Sequence, residues 1–137
     1  MKYDKPITLH NTITRIAIPS NSYNIGFSMM NLKGFESLEE FDVGSNCFGE
    51  VESVTIKDLN RLRSIMIGES SFFNTSVVTI ESLPVLDRME LSEDSFHGKG
   101  VNSSLVLSDL PLLSSITSEG GSFIEVRSFT AISKPFA

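Results

Sequence analysis

The chain has 137 residues, 40% of them hydrophobic and 20% charged, with 17 acids against 11 lysines and arginines. That length and balance fit one folded domain rather than a disordered segment. No run of about 18 apolar residues is present, so no helix is expected to cross a membrane.

The formal charge of −6 is unevenly spread. Residues 36 to 125 hold 16 acids and 5 bases, while Lys2, Lys5, Arg15 and Lys33 make one flank basic and Arg127 and Lys134 the other. An acidic middle argues against nucleic acid and anionic lipid as partners, since both require a positive field. Cys47 is the sole cysteine, so no internal disulfide is expected. The opening MKYDKPITLHNT lacks an apolar core and does not read as a signal peptide.

Residues 1 to 12 read as a partial repeat, with Ile7 as its one strong apolar anchor. From Ile13 onward the large apolar residues recur at a fixed spacing, in copies that start at residues 13, 38, 62, 86 and 113. The first copy carries Ile13, Ile16 and Ile18, then polar Asn21, Tyr23, Met30, Leu32 and Phe35. The second carries Leu38, Phe41, Val43, Asn46, Phe48, Val54, Ile56 and Leu59. The third carries Leu62, Ile65, Ile67, Ser70, Phe72, Val78, Ile80 and Leu83. The fourth carries Leu86, Met89, Leu91, Asp94, Phe96, Leu105, Leu107 and Leu110, and its looser loop is His97 to Ser104. The fifth carries Leu113, Ile116, Phe123, Val126, Phe129 and Ile132, with Ser118 and Gly121 at usually different positions.

Repeats of 24–27 residues predict a solenoid, because one copy cannot bury its apolar face alone. Alternation such as SIMI predicts short strands, stacked in parallel about 4.8 Å apart. The second halves, VTIKDL and VTIESL, alternate as well, so the back is expected to be strands or extended turns. Short helical segments are considered near residues 58–60 and 109–111. The polar column Asn21, Asn46, Ser70, Asp94 and Gly121 is expected to pair backbone groups at a buried turn, and to fail at Gly121. Cys47, next to that column, is read as a half-exposed turn residue.

The form LxxLxLxxNxL, matched in full by Leu38, Phe41, Val43, Asn46 and Phe48, resembles the leucine-rich repeat family. The steps IAIPSNSY and IMIGESSF resemble its BspA-like subclass of surface proteins. The resemblance implies a β-rich solenoid that binds other proteins through its concave sheet, without catalysis, at a secreted or cell-surface location. It also implies end caps; no clear cap is read beside the repeats, so the chain is expected to be a piece of a longer protein or to have an end covered by another chain. The alternative is a structural protein that self-assembles through uncapped ends or edges into an oligomer or filament.

The resemblance places the interaction surface at the x positions of the repeat. There Glu39, Arg63 and Asp87 form one column, and Arg15, Glu40, Ser64 and Arg88 another, so cross-strand ion pairs are expected. Asp42, Glu69, Glu90, Glu93 and Glu119 form an acidic strip, the candidate surface for a basic protein partner or a loosely held cation. No catalytic, cofactor or metal constellation is read from His10, His97 and Cys47, which are too far apart in sequence to suggest one. Asn74 and Asn102 stand in N-x-S/T sequons and are candidate glycosylation sites.

Overall fold

Alternation of inward and outward side chains is what makes each repeat into strands. In a computed structural model, which describes residues 12–97, 104–118 and 128–132, ten short strands alternate between two parallel sheets. The first sheet takes the odd strands: β1 (Arg15–Ile18), β3 (Glu40–Val43), β5 (Ser64–Ile67), β7 (Arg88–Leu91) and β9 (Ser115–Ser118). The second takes the even ones: β2 (Met29–Leu32), β4 (Ser53–Lys57), β6 (Val77–Glu81), β8 (Ser104–Ser108) and β10 (Ser128–Ile132). The molecule is a β-solenoid, and each coil contributes one strand to each sheet. The back is thus a complete second sheet.

Register is continuous along both sheets. Arg15, Glu40, Ser64, Arg88 and Ser115 are aligned across the first. Met29, Ser53, Val77, Ser104 and Ser128 are aligned across the second. The core lies between the sheets. It is built from Phe41, Val43, Ile65, Ile67, Met89 and Leu91 on one side and Val54, Ile56, Val78, Ile80, Leu105 and Leu107 on the other. Leu38, Leu62 and Leu86 are fully buried where the chain re-enters the first sheet. Burying one such side chain is worth about 1.5–3 kcal/mol, so the stacked columns dominate the stability.

The corners are made by left-handed backbone rather than by helices. Asn21, Asn46, Ser70 and Asp94 have φ of 64°, 57°, 59° and 60° respectively. Two residues on, Tyr23, Phe48, Phe72 and Phe96 repeat that conformation, with φ between 49° and 58°. A third column, Gly34, Asp58, Ser82 and Asp109, does the same after the second sheet. Asn, Asp and Gly tolerate this region best, which accounts for much of the composition of the first and third columns. Left-handed Asp58 and Asp109 begin tight turns, so the helical segments considered at 58–60 and 109–111 do not form. The turns close instead with bonds from Leu62 N–H to Leu59 C=O and from Leu113 N–H to Leu110 C=O.

Two expectations about the corner are corrected. The side chains of Asn21, Asn46, Ser70 and Asp94 are exposed or half-buried, and the column is fixed by its backbone. The N–H groups of Asn21, Asn46 and Ser70 donate to C=O groups of Ser45, Glu69 and Glu93 on the following coil. The buried bonding falls to the next residue. Ser71 Oγ accepts from Cys47 N–H at 3.0 Å and donates to the Gly44 carbonyl. Cys47, in that same inward position, is fully buried rather than half-exposed, with Sγ 3.1 Å from the Pro19 carbonyl. The left-handed residue before each of them turns the chain so that the side chain points inward. Gly121, where the polar column was expected to fail, and residues 1–11 of the partial repeat lie outside the described residues.

Candidate functional site

The outer face of the first sheet carries most of the charge that the repeat places at fixed positions. At its entry edge Thr14, Glu39, Arg63, Asp87 and Ser114 form one column, joined N–H to C=O from coil to coil. The next outward column is Arg15, Glu40, Ser64, Arg88 and Ser115. Then come Ala17, Asp42, Met66, Glu90 and Thr117. Beyond the strands, the exit corner places Ser45, Glu69 and Glu93 on successive coils.

Arg15 reaches diagonally across one coil. Its Nη2 and Nε lie 2.7 and 3.0 Å from Asp42 Oδ2, and Nε is 3.4 Å from Glu40. The hydrogen bond to Asp42, reinforced by the charges of Asp42 and Glu40, raises the Arg15 pKa against a small opposing effect of burial. Asp42 Oδ1 is buried and has no hydrogen-bond partner, so only one of its oxygens is satisfied. On the fourth coil Arg88 Nε is 3.6 Å from Glu90. Two members of the acidic strip, Asp42 and Glu90, therefore already hold a guanidinium each.

Glu69 and Glu93 differ from them. They occupy equivalent positions on neighbouring coils, are exposed, and pair with no cation within 4.0 Å among the described residues. Glu119 lies outside the described residues. The column of Glu39, Arg63 and Asp87 forms as a column but not as ion pairs. Among the described residues no carboxylate comes within 4.0 Å of Arg63, and Asp87 Oδ1 instead accepts from Ser114 Oγ at 2.8 Å. Parallel register sets the side chains side by side without making long ones meet. Arg63 and Arg61 line an open groove of about 530 Å³ with Glu39, Asp87, Val85 and Leu112.

Met66 sits between Asp42 and Glu90 in the central column and is 36% exposed. It gives the face an apolar centre with charges around it. The outer face of the second sheet is different in kind. Its central column runs Asn31, Thr55, Thr79 and Val106, and its ion pair, Lys57 with Glu81 at 4.0 Å, lies at one margin.

Several partners were hidden in the sequence. Tyr23, Phe48, Phe72 and Phe96 stack ring on ring at 5.3, 4.8 and 5.0 Å, nearly parallel. Asn74, read as a sequon, is half-buried. Its Nδ2, the atom a glycan would occupy, donates to the Gly49 carbonyl at 2.9 Å. Asn24 and Thr75 make similar bonds between coils. The recurrence of Phe was the available signal for the stack, but nothing in composition marks the cross-coil bonds. Asn102 and His10 lie outside the described residues.

His97 stacks on Phe73 with ring centres 4.4 Å apart. Among the described residues no group of three His, Cys, Asp or Glu is placed to hold a metal ion, and no helix is long and apolar enough to cross a membrane. No family model, curated protein or solved structure matches the chain.

Proposed function

We propose that the chain is a non-enzymatic protein-binding module, and that the outer face of its first sheet receives a basic partner segment. The observation that carries this reading is a contrast of pairing. Arg15 and Arg88 engage Glu40, Asp42 and Glu90, whereas Glu69 and Glu93 stand on adjacent coils with no described cation. Like charges at equivalent corner positions of neighbouring coils repel, and a partner's lysine or arginine would offset that cost. Met66 supplies the apolar contact that such interfaces place inside a polar rim. The anchors Leu38, Leu62 and Leu86 support reading the repeat as leucine-rich.

The test is selection of binders from a random peptide display library, followed by Glu69→Lys with Glu93→Lys. Enriched peptides should carry Lys or Arg beside an apolar residue, and the double reversal should abolish their binding while leaving the melting temperature in place. Binding that survives the reversal would rule out this surface.

A second reading, self-association, is favoured by a separate observation. Tyr23, Ile25, Phe27 and Met29 of the first described coil are 50, 82, 44 and 66% exposed, next to terminal strands of both sheets. Exposed apolar surface beside strands that are terminal among the described residues is a template for another chain. Light scattering across a wide concentration range should then show growth in mass that Ile25→Lys suppresses. A constant monomer mass would end this reading.

A further inference from the structure

We draw no further inference here: the strongest candidate, the open groove of about 530 Å³ at the corner leading into the first sheet, sets Arg61 and Arg63 beside Glu39 and Asp87, so its charges favour no one occupant and nothing in the structure shows what covers it.

Discussion

Phe72 shows how a single residue is held where its backbone does not favour it. Its φ of 55° is left-handed, which costs an L-residue about 1–2 kcal/mol. The cost is offset because the ring is fully buried and lies between Phe48 and Phe96, 4.8 and 5.0 Å away. Burial contributes about 1.5–3 kcal/mol, and each stacked pair adds about 0.5–1.5 kcal/mol. Phe72→Ala keeps the strained backbone and removes both gains. It should destabilise the fold by about 3–5 kcal/mol, read as a shift in the guanidinium midpoint. A loss below about 1 kcal/mol would mean that the stack does not hold the corner. The recurrence of this aromatic was legible in the sequence, but its handedness was not. Phe carries no preference for the left-handed region, so its conformation is imposed by the neighbouring coils. The burial of Cys47 has the same origin: inward direction at that position follows from the left-handed φ of Asn46, which spacing alone does not reveal.

At the scale of the strand, alternation places the first sheet and leaves the back as strands or extended turns, which the structure resolves as a second sheet. Ile65 and Ile67 face inward from β5, and Val78 and Ile80 do so from β6. What alternation could not supply was reach. Arg15 meets Asp42 on a diagonal, while Arg63 makes no ion pair with either acidic neighbour in its column. The Arg15 pair has a definite consequence for pH. A cation whose pKa is raised on folding contributes stability that is fully present below its unfolded pKa and is lost only as pH rises through the folded one. For arginine that window lies far into alkali. The difference in melting temperature between the wild type and Arg15→Gln should therefore stay constant between about pH 6 and pH 9, because Arg15 itself does not titrate there. It should shrink on adding about 1 M salt, since the guanidinium is exposed and the Debye length falls to roughly 3 Å. A difference that varies strongly across that pH window would show that another group controls the interaction.

The described coils form a stack in one dimension, because each strand is hydrogen-bonded only to strands of the adjacent coils in its own sheet. Stability in such a stack is a sum of terms for each coil and for each interface between adjacent coils, so it need not be uniform along the axis. The side chains grade accordingly. Leu62, Ile65, Ile80, Leu83 and Leu86 are completely buried in the middle, whereas Ile16, Ile18 and Met30 of the first coil are only half-buried. Gly68 reinforces the centre by letting coils approach closely. A Cβ there would lie 2.5 Å from the Gly44 carbonyl group, so backbone would have to move to accommodate any side chain. Native-state hydrogen exchange should resolve this gradient. Amides of β5 and β6 should exchange slowest, near the free energy of global unfolding, and those of β1 and β2 fastest. Equal protection in all four strands would mean that the coils unfold as one unit and that the one-dimensional description is wrong. The gradient also bears on the proposed binding face. Glu69 follows β5 and Glu93 follows β7, so both acids project from well-buried coils. A partner meeting them would find their backbone already ordered and would lose less entropy in fixing the surface than one that docked on the first coil.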